Sequence, residues 1–408
     1  MTTGGGTAMT PDAPRAEGTP LAGIRVVEIA NYVTGPYAAA LLAEMGASVV
    51  KIEEPTAGDP FRGWGSGGYS PTFRSVNRGK RSIGLDLRQP EGAAIARRLL
   101  EDADVLIENL RPGALDRLGL GEASLRAANR RLIVCSVTGF GTSGPYRDRP
   151  GYDTVGQAVS GLLGLLTDLD DPRPMGISLS DHITGIMAVV GVLAALAARG
   201  PEGAGRRVET SLLQATTAFV GENAARYFDD DAIPTRATRA RIAQAYAFTA
   251  GDGGPFVVHL SSPPKFWGGL TAAIDRDDLR TDPRFVDRAA RVRHYDELHA
   301  LLAATFATGP RADWLAALEA NDVPAGPINR FDEVFADPGV AALDLVHEVV
   351  HPEAGSMRLV GCGVSVEGAD EGALLPPPLL GEHGDAILHG LGLDVAEIDR
   401  LRQSGVVR

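Results

Sequence analysis

Ile24-Arg25-Val26-Val27-Glu28-Ile29-Ala30 is a short β-branched run, followed by Gly35-Pro36, an apolar stretch ending at Gly46, and then Ser48-Val49-Val50-Lys51-Ile52. Pro36 suits the first turn of a helix and Gly46 suits a helix exit, so the stretch reads strand, loop, helix, strand. Two strands separated by a helix of this length predict a right-handed parallel crossover over residues 24 to 53.

The alternation continues outward from this unit. Ile83 to Leu87 reads as a strand, a helix opens at Pro90-Glu91 and runs to about Leu100, and Asp104 to Glu108 and Leu132 to Val137 read as further strands. Repeated strand-helix alternation predicts an α/β fold, a Rossmann-like large domain with a mostly parallel sheet, whose ligands lie beyond the carboxyl ends of the strands. The loops Asn31 to Gly35, Asn109 to Gly113 and Thr138 to Tyr152 are the places such a ligand would meet. The pattern changes at Phe228-Asp229-Asp230-Asp231. A smaller second domain is expected over residues 226–330, closing near Val323-Pro324-Ala325-Gly326-Pro327, with residues 331–408 completing the large domain that starts at residue 20. Residues 1–19, rich in Gly, Thr and Pro, read as a mobile tail.

A chain of 408 residues with 44% hydrophobic and 22% charged residues has ample material for a folded enzyme. Its net charge of −13 works against an extended nucleic-acid surface, so an anionic ligand must be held by local cations. With two cysteines and no secretory apolar region at the start, a cytoplasmic location is expected. The apolar run Ile183 to Ala198 falls short of the ~20 residues that span a bilayer, and is read as a buried helix with no membrane partner.

No metal is expected: the eight histidines are scattered, and there is no His-Glu-x-x-His or Cys-x-x-Cys. Gly-x-Ser-x-Gly and the phosphate-binding Gly-x-x-x-x-Gly-Lys-Ser/Thr are also missing. The first strand-helix turn lacks Gly-x-Gly-x-x-Gly, although Glu53 at the end of the second strand stands where a dinucleotide site would carry its ribose-binding acid. Asp181 lies in Ser178-Leu179-Ser180-Asp181-His182-Ile183-Thr184-Gly185, at the start of the long apolar helix. There it is either a helix N-cap accepting backbone N–H bonds or a nucleophile kept ionised and oriented by the helix dipole. His182, its neighbour, points elsewhere on the helix and is left out of the catalytic set.

The order and spacing of several further motifs point to a family. They are Pro20-Leu21-Ala22-Gly23-Ile24-Arg25-Val26, Asn77-Arg78-Gly79-Lys80-Arg81-Ser82-Ile83, Glu108-Asn109-Leu110-Arg111-Pro112-Gly113, Gly151-Tyr152-Asp153 and Pro378-Leu379-Leu380-Gly381-Glu382-His383. From Pro20 to Val407 the chain resembles the class III CoA-transferases, which include formyl-CoA transferase, carnitine CoA-transferases and α-methylacyl-CoA racemase.

The resemblance implies transfer of coenzyme A from an acyl-CoA donor to a carboxylic acid acceptor. It implies Asp181 as nucleophile, passing through an aspartyl anhydride and an aspartyl-CoA thioester, and an interlocked homodimer. It places Lys80, Arg81, Asn109, Leu110 and Arg117 on the CoA-binding surface, and Val33 and Tyr152 on the active-site wall. The family's transferases often carry Gln where this chain has Val33. The racemase branch, the alternative reading, has His where this chain has Tyr152. A phenol, titrating near ~10, is a poor base for moving an α-proton at neutral pH. An NAD-binding Rossmann protein is the third reading.

Overall fold

The computed structural model describes residues 19–201, 203–261, 263–366 and 375–408; residues 1–18 of the expected tail lie outside them. The chain divides into two compact units. The first comprises residues 1–162, 175–221 and 344–408, and the second residues 163–174 and 222–343. The second thus reaches somewhat outside the expected 226–330 at both ends and also takes in residues 163–174.

The first unit is built on six parallel strands: β1 (Arg25–Ile29), β2 (Ser48–Glu53), β3 (Lys80–Gly84), β4 (Val105–Glu108), β5 (Ile133–Thr138) and β6 (Arg207–Ser211). Their spatial order is β3-β2-β1-β4-β5-β6, the expected α/β topology with its switch point between β1 and β4. Helix α1 (Thr34–Glu44) is the predicted crossover from β1 to β2, and α2 (Pro71–Asn77) and α3 (Pro90–Glu101) follow in turn.

Strand alternation gives the two sheet faces different chemistry. Val27 and Ile29 of β1, Val50 and Ile52 of β2 and Ile83 of β3 pack beneath α3 and the C-terminal helices Gly384–Gly390 and Val395–Gln403. The other face carries Val26, Val49, Val105, Ile133 and Cys135 beneath α1 and the Leu179–Arg199 helix. On that face, at the β1–β3 side, the alternation yields Glu28, Lys51 and Lys80, all three fully buried. Glu28 holds Lys51 and Lys80 at 2.7 Å each, and Lys51 also meets Asp59 at 3.0 Å. Glu53 is likewise buried, bound through both carboxylate oxygens to Arg62 at 2.7 Å and accepting from Ser82 Oγ at 2.6 Å. It therefore cannot receive a ribose.

The Leu179–Arg199 helix is 21 residues long because the polar first turn joins the apolar run, which makes it long and apolar enough to cross a membrane by length and composition. Ala188, Val189, Val192 and Ala195 nevertheless sit in the core against the sheet. Gly185 lets it approach α1 closely: a Cβ there would lie 3.0 Å from the Thr34 carbonyl oxygen.

The second unit holds three antiparallel strands, Ala245–Thr249, Pro255–His259 and Ala325–Pro327, around a core that includes Tyr246, Phe248, Phe256, Phe285 and Phe306.

Removing one partner from a dry ionic cluster strands the others. Replacing Glu28 with Ala, which leaves Lys51 and Lys80 facing each other, is expected to cost about 3–5 kcal/mol in a urea titration. Lys80→Ala is expected to be destabilising too, the opposite of what a surface lysine would do. An unchanged midpoint in both would show that the cluster does not hold the sheet.

Candidate active site

At the switch point the loops after β1, β4 and β5 enclose a cavity of about 400 Å³. The β1 loop is strained: Tyr32 adopts φ 65°, a left-handed conformation that costs a non-glycine residue of order 1–3 kcal/mol. Asp59 Oδ1 accepts from Tyr32 N at 3.2 Å, and Lys51 Nζ donates to the Ala30 carbonyl at 2.7 Å. On its other side Asn109 clamps the loop, accepting from Asn31 N at 2.9 Å and donating to Asn31 O at 2.6 Å and Thr34 Oγ1 at 3.2 Å. Val33, buried at the start of α1, is thereby fixed in the cavity wall.

Asp181 reaches the cavity from the Leu179–Arg199 helix. It is not the N-cap: Ser178 takes that position, and Asp181 is the third helical residue. Its backbone N–H, one of the donors a helix start leaves over, is satisfied by Asp153 Oδ1 at 3.1 Å. Asp153 opens the helix Asp153–Val159, and Gln157 Nε2 donates to its other oxygen at 2.5 Å. The two helix starts pack tightly because residue 156 is Gly; a Cβ there would come within 2.5 Å of Ser180 Oγ.

Burial, and then the neighbouring Asp153 charge, push the Asp181 carboxyl up to about 7. The helix dipole was expected to keep this carboxylate ionised; desolvation outweighs it. Tyr152 stands at the mouth, 63% exposed, with its ring edge-on to Tyr32 at 5.7 Å. The Thr138–Tyr152 loop closes on itself where Gly139 and Gly151 meet, each lying where the other's Cβ would be at about 3 Å.

Of the residues expected to bind CoA, Asn109, Leu110 and Arg117 line this cavity, and Lys80 and Arg81 do not. Lys80 Nζ is spent on Glu28, Asn77 Oδ1 and the carbonyls of Pro36 and Val76, because β3 alternation turns it into the protein. Arg81 faces the other side of the sheet, where it donates to Ser48 Oγ at 3.1 Å. Asn109 lies in the wall, with its amide committed to the β1 loop. The sequence reading missed Arg147 and Arg149, which the β5 loop brings to the cavity beside Arg111 and Arg117. Their membership of a loop already singled out was the available signal. His182 is outside the lining, its Nδ1 2.7 Å from the Ser178 carbonyl and its ring against Tyr37. Among the described residues no three His, Cys, Asp or Glu side chains form a metal-holding group.

A buried carboxylate in a cavity rimmed by four arginines suits a polyanionic, phosphate-bearing ligand, and the comparisons with known proteins give that fit a family. The model of CoA-transferase family III matches residues 21–384. The succinate–glutarate CoA-transferase of Agrobacterium fabrum is 35% identical over 90% of this chain and 95% of its own length. The formyl-CoA:oxalate CoA-transferase of Streptomyces avermitilis is 34% identical over 95% of this chain and 99% of its own. Among solved structures, a CAIB/BAIF family protein from Brucella suis superposes with a TM-score of 0.80 at 35% identity, covering 92% of this chain and all of that one. The chain belongs to CoA-transferase family III, and the Agrobacterium and Streptomyces relatives named above are CoA-transferases that act with carboxylic acids.

The raised carboxyl has a thermodynamic signature. An unfolded Asp titrates near ~3.9. The folded protein therefore holds the extra proton between about 4 and 7, and stability falls as pH rises through that window. Asp181→Asn is expected to stabilise the protein by about 1–4 kcal/mol at pH 8 and by nearly nothing at pH 4. Equal effects at the two pH values would place the carboxylate in an ordinary solvated environment.

Proposed function

We propose that Asp181 carries the transfer covalently. Its carboxylate attacks the acyl-CoA carbonyl, the C–S bond breaks, and a mixed anhydride and CoA thiolate result. The thiolate attacks the aspartyl carbonyl of the anhydride, releasing the donor acid and leaving an aspartyl-CoA thioester. The acceptor carboxylate attacks that thioester, forming a second anhydride, and the thiolate then takes the new acyl group and returns Asp181 as a carboxylate. Each step exchanges one acyl bond for another of comparable energy, which is the gain of covalent catalysis.

The observation that carries this reading is the Asp181 carboxyl, desolvated yet opening onto a cavity rimmed by Arg111, Arg117, Arg147 and Arg149. Among the described residues Arg111 and Arg117 have no carboxylate partner, so they are suited to the phosphates of CoA. The names of the relatives support short dicarboxylic acids as substrates.

Asp181→Asn is expected to bind CoA and lose transfer, and hydroxylamine added during wild-type turnover to leave a hydroxamate at Asp181 in a peptide map. An Asn variant with full activity would exclude the covalent route. Because the attacking form is the carboxylate, kcat/KM for the acyl-CoA should rise with pH through about 7. Asp153→Asn removes the neighbouring charge and should move that limb to lower pH. Racemisation would need a second base, and Tyr152 does not provide one, so the wild type should put no deuterium on the α-carbon of a 2-methylacyl-CoA in heavy water.

A homodimer is the assembly we propose. The outward side of the Leu179–Arg199 helix leaves Ile186, Met187 and Val190 exposed within two turns to three turns of the nucleophile, an apolar row that a second copy would cover. Sedimentation should show a dimer, and Val190→Asp should shift it toward monomer. A wild-type monomer at micromolar concentration would refute the assembly.

A further inference from the structure

Ser178 stands at the N-cap of the Leu179–Arg199 helix and makes no side-chain bond to it. Its part is taken by a side chain from another helix, because Asp153 Oδ1 accepts from Asp181 N at 3.1 Å. Asp153 is held in turn by Gln157, four residues on and so on the same face of the Asp153–Val159 helix. Gln157 Nε2 donates to Asp153 Oδ2 at 2.5 Å and to the Ile177 carbonyl at 3.1 Å. Ile177 O also accepts from Leu179 N at 2.9 Å, which anchors the first helical residue. One amide thus grips both groups, a carboxylate and a carbonyl, that fix the first turn around Asp181.

Both partners are acceptors, so the amide nitrogen must face them, and both of its N–H groups are used. The consequence for its oxygen is unfavourable. Gln157 is 1% exposed, and its Oε1 has no hydrogen-bond partner among the described residues. A buried acceptor left unbonded opposes folding, whereas an apolar side chain of the same length would fill the space without that cost. Packing therefore does not explain a glutamine here, and its two donors do. The surroundings leave little slack. Gly156 brings its helix against Ser180, whose Oγ lies 2.7 Å from Thr216 Oγ1 on the far side. A shift of Asp153 is thus passed directly to the Asp181 backbone.

We infer that Gln157 is a positioning residue for CoA transfer, acting through Asp153 and the Ile177 carbonyl to keep the Asp181 carboxyl turned onto the cavity. The inference rests on the reading of Asp181 as the nucleophile. Gln157 does not line the cavity, so it touches no substrate and acts only through the groups it holds. The leverage is large, because a reacting group misplaced by ~1 Å can lose on the order of 100-fold in rate. Coenzyme A binding, which falls to the rim arginines, should not depend on it.

Two substitutions in the full-length protein test this. Gln157→Met keeps the length and removes both donors. It is expected to lower kcat for CoA transfer at least tenfold and to leave the dissociation constant for coenzyme A, read by calorimetry, within about twofold. Gln157→Glu keeps the shape and replaces the amide with an acid. Protonated, the new acid still donates to Asp153; ionised, it sets three acceptors against one another. The ratio of its kcat to the wild-type kcat should therefore fall at least tenfold between about pH 6 and about pH 9, which a merely structural role would not produce. If Gln157→Met fails to fold, the isosteric Gln157→Glu ratio decides. Full kcat in Gln157→Met, a Gln157→Glu ratio independent of pH, or a loss confined to coenzyme A binding would each overturn the inference. The nucleophile is judged separately: a fully active Asp181→Asn removes the covalent reading, whereas an inactive Asp181→Asn beside a fully active Gln157→Met removes the role of Gln157 alone.

Discussion

Glu28 in the middle of β1 is the constraint on which the rest of the first unit depends. Its two carboxylate oxygens neutralise Lys51 from β2 and Lys80 from β3, and Lys51 passes the link to Asp59. Burial, with the neighbouring Lys51 charge, holds Lys80 down to about 7 even though the Glu28 carboxylate beside it offsets much of its lost hydration. Such a cluster is a poor source of net stability, because desolvation consumes most of the Coulombic gain. Its effect here is geometric. Asp59 and Lys51 grip Tyr32 N and Ala30 O, so the same charges that register three strands also hold the strained turn that presents Val33 to the active-site cavity.

Asn109 completes that grip from β4, across the switch point. The strand order leaves a crevice between the β1 and β4 loops, and a side chain bonded to both edges of it decides how wide the crevice is. A residue expected to touch the ligand thus shapes the wall in which the ligand sits.

How much of this was readable beforehand follows from what a one-dimensional pattern carries. The runs around Val26, Val49, Ile83, Leu106 and Val134 announce buried parallel strands, and the loops that follow them announce the site, because both depend only on local order along the chain. The facing of Lys80 and Arg81 was lost. Adjacent cations look alike in sequence, yet in a strand they fall on opposite faces, one into the Glu28 cluster and the other toward Ser48 on the far face of the sheet. The Asp181 environment was misjudged for a related reason: its capping group, Asp153, lies 28 residues upstream, and burial cannot be read from a helix start alone. Arg147 and Arg149 are visible as charges, but only the Gly139–Gly151 closure shows that their loop folds back over the cavity.

The Asp181 site sets three fields against one another. The helix start favours the carboxylate, while burial and Asp153 favour the acid, and the latter pair prevails. For the proposed attack a more comfortable carboxylate would be less reactive, since one stabilised by strong hydrogen bonds must give them up on attack. Asp153 bonds the backbone of Asp181 and not its carboxylate, so it fixes where Asp181 sits while its charge disfavours the Asp181 carboxylate. The four arginines lie on the cavity rim, where they offset the acidic balance of the whole chain without neutralising the carboxylate within. Position, more than composition, therefore lets an acidic protein set a cationic rim around a buried carboxylate, as the attack on an acyl-CoA proposed above requires.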